Sequence, residues 1–473
     1  LGGFTVTTAA VFPLVEPDSM PLPKTAPSLE SLPNDAGRVA RFITAMGENL
    51  RFVHEWETWY LWDGNRWRRD RDGGIMRDVK KFCLAEFERA LREHADNPKA
   101  ASEARREAAE LGDSAQAARM LKMAESDPRV IVHPEKLDAD PWLLGTGNGV
   151  VDLRTGTFRA GERQDYVTKA TGIAYEASAT CPRFELFLQE IFEGDSELVN
   201  FVAGALGYSL TGSVSEQVFF FLHGCGANGK SRLVETMLAL MGEYGATTAP
   251  EIVALTRNDT PMHHLADLHG ARFTTLPETE ESHRLAESRI KSLTGGDEIT
   301  ACRKYEHPFR FKPQLKLWIH GNHKPEIRGT DTGIWRRVRL VPFNATFPPE
   351  RRDLTLPENL ATELPGILNY LIAACLRWKA NGLPCPAQVK AATESYRTEQ
   401  DVLAEFLDEK TMIVQGERVT RSALYASYQA WAEGQGIQKP WTQRAIAKSL
   451  RERGIAEDKD KSTRYWLNLR LKP

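Results

Sequence analysis

Residues Phe219–Glu235 read F-F-F-L-H-G-C-G-A-N-G-K-S-R-L-V-E, and the rest of the chain is read outward from them. An apolar run, Val218–Leu222, stops at Gly224, and four residues separate Gly224 from Gly229-Lys230-Ser231. Leu233, Val234, Met237, Leu238 and Leu240 then recur at helical spacing. Strand, glycine loop and helix in that order, spaced G-x-x-x-x-G-K-S, are what a phosphate-binding loop requires. Gly224, Gly226 and Gly229 let backbone amides turn toward phosphate oxygens, with Ala227 and Asn228 completing the loop. Lys230 is placed to reach the β- and γ-phosphates and Ser231 to ligate Mg²⁺. The helix start, which carries Arg232, adds its positive dipole end. The pattern predicts a nucleoside-triphosphate site.

The bulk properties bound the rest. A chain of 473 residues suggests two to four domains. With 41% hydrophobic and 26% charged residues it is globular overall. A net charge of −3 excludes a globally basic nucleic-acid binder, so such contacts must come from local patches. Cys83, Cys181, Cys225, Cys302, Cys375 and Cys385 are scattered with no C-x-x-C pair. That argues against a zinc ribbon or a disulfide framework and fits a reducing cytoplasm. No apolar run approaches the roughly 20 residues that span a bilayer, so no membrane partner is expected. The first residues lack a signal-peptide pattern, and the chain opens on Leu1 rather than Met.

Upstream of the loop, residues 1–37 are rich in proline and are expected to form a linker or tail. Arg51–Arg69 alternates aromatic and polar residues around Asp63-Gly64-Asn65, a hairpin signal. Packing of its tryptophans on a sheet face is favoured over stacking on bases. Residues 76–126 are helical in period, with a break near Asn97-Pro98. Gly149–Leu153 and Thr157–Arg159 form a second small hairpin, entered through a loop at Gly145–Asn148. Helices are expected near Pro182–Phe192 and Leu198–Leu210.

Downstream, Ala271–Leu276 is a strand leading into Pro277-Glu278-Thr279-Glu280. An acid at the end of a neighbouring strand can hold Mg²⁺ and polarise the attacking water; Glu278 is best placed, Glu280 second. Thr300–Phe311 reads as two short strands around a cationic, aromatic tip, Arg303-Lys304-Tyr305, suited to a phosphate backbone and a stacked base. Leu315–His320 is a strand ending near Asn322, a polar amide able to sense a γ-phosphate. Arg336 and Arg337 precede a further apolar strand, and an arginine supplied across a subunit seam stabilises charge in phosphoryl transfer.

G-C-G-A-N-G-K-S, P-E-T-E, R-I-K-S-L-T-G-G-D-E-I-T-A, G-N-H-K-P and D-T-G-I-W-R-R-V-R-L-V-P-F, in this order, resemble the phage and plasmid primase–helicase family of superfamily 3 helicases. Poxvirus primase–helicases are related to it. The resemblance extends upstream through Trp142–Gly156 and Ala203–Gly212, and covers about residues 40–405. It implies an α/β, AAA+-like P-loop ATPase core that binds ATP and Mg²⁺ between the subunits of a homo-oligomeric ring, expected to be a hexamer. By motif, Lys230 and Ser231 bind phosphates and Mg²⁺, Glu278 is the Walker B acid and Asn322 the sensor. Arg336 or Arg337 is the neighbour's finger. Lys291 and the Arg303-Lys304 tip correspond to the segment that grips single-stranded DNA. Two departures stand out: Thr274 and Thr275 occupy a strand that is usually more apolar, and Gly321 precedes Asn322 where the family often has Thr. No primase–polymerase constellation is found, so primer synthesis is not expected; a primase or polymerase domain is expected upstream or in trans.

At the C-terminal end Val419–Trp431 and Thr442–Arg453 are amphipathic helices and Arg464–Leu471 alternates as a strand. Lys and Arg outnumber Asp and Glu there by roughly two to one, and helix, helix, strand with Arg444, Lys448, Arg451, Lys459, Lys461, Arg464 and Arg470 reads as a winged helix, with DNA favoured over a protein partner. The domain expectation is therefore a tail (1–37), an N-terminal α+β domain (38–195), a superfamily 3 ATPase (196–408) and a winged helix (409–473). The functional expectation is a replicative helicase of a phage or mobile element acting on single-stranded and forked DNA. Its rivals are an origin-binding initiator that does not unwind processively and an ATPase that remodels protein.

Overall fold

In the computed structural model the described residues are 29–472, apart from 33, 95, 111–112, 256–261, 278–283, 304–306, 328–331 and 438–439. The Pro-rich segment therefore lies almost wholly outside them. The chain divides into two compact units, residues 1–54 with 70–131 and residues 55–69 with 132–473.

The smaller unit contains α1 (Asp35–Met46), β1 (Leu50–Val53), α2 (Gly74–Glu93), α3 (Pro98–Glu110) and α4 (Ser114–Ala124). The expected break at Asn97-Pro98 is the start of α3, where proline costs no hydrogen bond. Asn34 caps α1 by accepting from the Gly37 amide at 3.1 Å. Phe42 and Phe82 meet edge-on at 5.4 Å, and Arg41 pairs with Glu86 at 2.9 Å.

The larger unit opens with the hairpin β2 (Thr58–Trp62) and β3 (Trp67–Arg69), closed where the Asp63 carboxylate accepts from the Asn65 amide. Trp67 is fully buried and its indole N–H donates to the Arg163 carbonyl at 2.8 Å, so this ring is core. A three-stranded antiparallel sheet follows: β4 (Leu143–Thr146), β5 (Gly149–Asp152) and β6 (Thr157–Arg159). The sequence reading placed Gly145 and Thr146 in a loop, but both belong to β4. A Cβ on Gly145 would lie 2.2 Å from the Lys169 carbonyl oxygen, so the glycine marks a close backbone approach within a strand. Helices α5 (Pro182–Ile191) and α6 (Ser196–Ser209) come next.

The centre comprises β7 (Phe219–His223), α7 (Lys230–Met241), β8 (Gly245–Thr247), α8 (Met262–Ala266), β9 (Phe273–Leu276) and α9 (Glu287–Gly295). It continues with β10 (Ile299–Ala301), β11 (Phe309–Phe311), β12 (Lys316–Gly321), α10 (Thr332–Trp335) and β13 (Val338–Pro342). Five of these strands form one parallel sheet, in the order β13-β7-β12-β9-β8. Both faces are buried, which is why its strands read as continuous apolar runs. Phe220, Leu222 and Trp318 face one core with α6 and α7, while Phe219, Phe221, Leu317 and Ile319 face the other. Phe184, Phe187 and Ile191 of α5 and Leu144 and Val151 share the first core, so the expected boundary at 195/196 falls inside it. The guanidinium of buried Arg272 donates to the carbonyls of Leu210 (2.7 Å) and Leu143 (2.8 Å), fastening β9 to α6 and β4.

Helices α11 (Leu356–Thr362), α12 (Leu364–Asn381), α13 (Ala387–Glu399) and α14 (Val402–Lys410) follow. The C-terminal segment is β14 (Thr411–Thr420), α15 (Arg421–Gly434), α16 (Gln443–Glu452), β15 (Glu457–Asp460) and β16 (Thr463–Leu471), its strands ordered β14-β16-β15. The sequence reading missed β14, whose alternation is interrupted at Gly416, where the register shifts between Ile413 and Arg418. No helix of the described residues is long and apolar enough to cross a membrane.

Candidate functional site

Gly224–Gly229 make the whole connection between β7 and α7. The turn needs left-handed backbone at Gly226 (φ +83°), Ala227 (φ +47°) and Gly229 (φ +88°). Gly224 is required for space, since a Cβ there would lie 2.3 Å from the Phe343 carbonyl oxygen. Two bonds fasten the loop to the chain beyond β13: Asn228 Nδ2 donates to the Phe343 carbonyl (3.3 Å) and the Phe347 amide to the Ala227 carbonyl (2.8 Å).

Lys230 opens α7 and is only 6% exposed. Its ammonium donates to the Gly224 carbonyl at 2.6 Å, to Asn228 Oδ1 at 3.1 Å and to Asn322 Oδ1 at 3.1 Å. Asn322 reaches it because β12 lies beside β7 in parallel register, Gly321 opposite His223, so both strands end at the loop. The structure thus brings Gly224, Asn228, Lys230 and Asn322 together. Ser231 is exposed in the first turn of α7, and Arg232 pairs with Glu235 at 2.7 Å. Burial, then the charges of Lys324 and Lys230, hold the half-buried His223 imidazole below its ordinary pKa and therefore neutral.

Strand β9 is the next in the sheet, Leu276 opposite Ile319, and Glu278 would follow it; Glu278 and Glu280 lie outside the described residues. Thr274 and Thr275 are buried, and among the described residues neither hydroxyl has a hydrogen-bond partner. Serine, backbone amides and a helix start are the donor and ligand types a Mg²⁺–triphosphate takes, so the described side of the site fits that group.

Arg336 and Arg337 differ sharply. Arg337 is buried, donating to Thr294 Oγ1 of α9 at 3.2 Å and to the Gly333 carbonyl at 2.7 Å. Arg336 is exposed and donates to Gln217 Oε1 at 3.1 Å, an oxygen that Arg337 Nη2 also reaches at 3.5 Å. Both precede Val338, which pairs with Phe219, whereas the loop leaves the other end of β7. Five strand residues amount to about 17 Å, so Arg336 stands at the edge of the sheet opposite its own Lys230.

A cavity of about 370 Å³ opens beside the loop, walled by Ala227 and Gly229 and by Phe187, Phe347 and Leu356. Arg183 crosses it, paired with Glu190 at 3.1 Å and Asp353 at 3.2 Å. The sequence reading overlooked Gln217, Phe347 and this Arg183 cluster. Only the F-N-A-T-F-P-P run after β13 hinted that the chain turns back onto the loop.

Among the residues expected toward DNA, Lys291 lies half-buried on α9, while Lys304 and Tyr305 lie outside the described residues. Arg303 sits over the Phe309 ring at 4.9 Å. His269 lies edge-on to Phe309 and Phe311, and burial, then Lys169 and Arg303, push its pKa down to about 4. Arg444 and Lys448 are exposed on α16, and Lys461 turns between β15 and β16. Arg464 lies 3.7 Å from Glu457, a carboxylate the sequence reading did not single out. No group of three His, Cys, Asp or Glu side chains among the described residues is arranged to hold a metal.

Residues 39–193 match a family model described as D5 N terminal like, and residues 222–337 match a family of unknown function, DUF5906. The chain is 30% identical over 320 residues to the provisionally named helicase L207/L206 of Acanthamoeba polyphaga mimivirus, covering 62% of this chain and 33% of that protein. It is 25% identical over 307 residues to the provisionally named primase C962R of an African swine fever virus isolate, covering 59% of this chain and 32% of that one. The chain thus spans about a third of the length of these relatives. In fold it is similar to the apo structure of the NrS-1 C-terminal region, with a TM-score of 0.50 at 12% identity over 90% of this chain and 97% of that one.

Proposed function

The chain belongs to the phage and viral primase–helicase family, and on that premise we propose that it is an ATP-hydrolysing replicative DNA helicase. In this reading Gly224–Gly229 form a P-loop, and the triphosphate lies along it with its nucleoside in the cavity beside Phe187 and Phe347. Lys230 neutralises the β- and γ-phosphates, and Asn322 senses the γ-phosphate. Ser231 and Glu278 would hold Mg²⁺, which when bound supplies charge neutralisation across the phosphates. The observation that carries the proposal is the Lys230 ammonium bonded at once to its own loop and to Asn322 at the end of the next strand.

The arginines support a shared site. Arg336 projects from the edge of the sheet opposite its own loop, so it serves another copy's triphosphate, and subunits assemble into a ring expected to be a hexamer. Arg337 is instead a strut that joins the arginine turn to α9, the helix bearing Lys291. Chemistry at the seam is thereby coupled to the cationic elements, Lys291 and the Arg303-Lys304 tip, that would follow single-stranded DNA. The C-terminal segment, with helices α15 and α16 and the β15–β16 hairpin, acts as a winged helix that engages forked DNA.

Lys230→Ala should lower DNA-stimulated ATP hydrolysis by at least about 10³-fold and abolish unwinding of a forked duplex, with the circular dichroism spectrum unchanged. Mixing Lys230→Ala with Arg336→Ala subunits should restore part of the hydrolysis, because some seams then join an intact loop to an intact arginine. Unwinding by the Lys230→Ala protein would end the helicase reading; a mixture as inactive as its components would end the shared site.

A further inference from the structure

Three arginines of the C-terminal segment converge on one carboxylate. Glu457 opens β15, and its Oε1 accepts from Arg421 Nη1 at 3.3 Å and lies 3.7 Å from Arg464 Nη1. Its Oε2 accepts from Arg451 Nε at 2.9 Å and Nη2 at 2.5 Å. The three come from separate elements: Arg421 is the first residue of α15, Arg451 is in the last turn of α16 and Arg464 is on β16. After desolvation, the Arg451 bond and the other guanidiniums decide the balance, and the Glu457 carboxyl is held below its ordinary range. One negative charge therefore stands against three positive ones.

That ratio exceeds what a structural ion pair needs, because guanidiniums brought together repel unless anions separate them. A carboxylate offers about four lone-pair sites, whereas three guanidiniums carry about fifteen N–H donors. The geometry also puts the anion underneath: the Glu457 side chain is 16% exposed, while those of Arg451 and Arg464 are 50% and 51% exposed. The remaining donors of both rim arginines are thus open to an incoming anion, and the planar fork suits phosphate oxygens. Arg444 and Lys448 stand seven and three residues before Arg451, which puts all three on one face of α16, exposed. Glu452 sits beside Lys448 at 3.5 Å, and Asp458 and Asp460 lie further along β15.

We propose that Arg421, Arg451 and Arg464 form a binding position for a backbone phosphate of nucleic acid, with Glu457 as a built-in competitor for the same donors. Glu457 keeps the arginines assembled, and a phosphate engages the two rim guanidiniums by drawing them from the carboxylate. The inference rests on the reading of this segment as a nucleic-acid binder, and goes beyond it by adding Arg421, by joining it to Arg451 and Arg464 at one position and by giving Glu457 an opposing role.

The test uses the full chain and fluorescence anisotropy with a labelled duplex of mixed sequence, titrated across potassium chloride concentrations. Glu457→Gln keeps the size and one acceptor, and should tighten binding several-fold near 0.1 M salt and steepen the salt dependence by about one unit of slope per phosphate gained. Arg451→Gln should weaken binding several-fold and flatten the slope by about one. A Glu457→Gln protein that melts like the wild type but binds no tighter overturns the inference and leaves Glu457 a strut. If that variant is destabilised, Arg451→Gln decides, and an unchanged slope there overturns it equally. Lys448→Glu, outside the cluster, separates the two levels. If it leaves binding untouched, the segment does not hold DNA and the underlying reading fails. If it weakens binding while Glu457→Gln and Arg451→Gln do nothing, only the phosphate position fails.

Discussion

The Gly224–Gly229 loop and the C-terminal segment handle positive charge in opposite ways. Lys230 is enclosed and held by oxygens from two strand ends, and Arg337 is buried between two helices. Arg444 and Lys448 stand on an open helix face, and Arg336 projects from a sheet edge. An enclosed cation is fixed in position before its partner arrives, and removing it leaves buried oxygens without donors. A displayed cation is screened by salt, contributes little to folding and acts mainly when a polyanion approaches. Enclosure suits chemistry that needs placement within a fraction of an ångström; display suits a long, sequence-tolerant ligand.

The contrast can be broken most directly at the adjacent arginines. Arg337→Ala should cost about 3 kcal/mol in chemical denaturation, because Thr294 and Gly333 lose their partner inside the core, while Arg336→Ala should cost under about 0.5 kcal/mol. Equal losses would mean that enclosure does not distinguish them. Asn322→Ala should lower hydrolysis roughly 10²-fold with little change in melting temperature, as expected for a donor acting at a developing charge; steady-state phosphate release measures it.

An effect confined to acid pH sharpens the role of burial near the β10–β11 hairpin. His269 has its pKa depressed from 6.5 to about 4, so below pH 6.5 the unfolded chain binds the proton more readily than the folded one. Its contribution is fully present above that pH and is lost as pH falls toward 4, by roughly 3 kcal/mol. His269→Gln should flatten that part of a stability-versus-pH curve. The least effect is expected on the display side. Lys448→Ala should weaken duplex binding about three-fold and reduce the salt slope by about one, with the melting temperature unmoved.

Much of this was readable from local pattern. The Phe219–Glu235 stretch names its strand, turn and helix because glycine positions and apolar period are local properties, and every strand of the parallel sheet except β8 was anticipated. The same holds for the Asn97-Pro98 break and for α15 and α16. What escaped depends on contacts between distant segments. β14 was hidden because Gly416 interrupts its alternation and its partner, β16, lies some fifty residues on. The different fates of Arg336 and Arg337 hang on Thr294, which bonds Arg337 and which no spacing rule connects to it, since Gln217 accepts from both. The three arginines around Glu457 are separated by up to forty-three residues and meet only when two helices and a hairpin fold together. Glu278, Lys304 and Tyr305 remain expectations of the motif alone.

Among the described residues the Lys230 ammonium donates to Gly224, Asn228 and Asn322. On the proposed reading a nucleotide would enter by swapping ligands on a nitrogen rather than by adding one, and affinity would report only the difference between old and new bonds. A diphosphate and a triphosphate need not trade for the same oxygens. The asparagine at the neighbouring strand end would then register the length of the phosphate chain through whether its lysine has turned away.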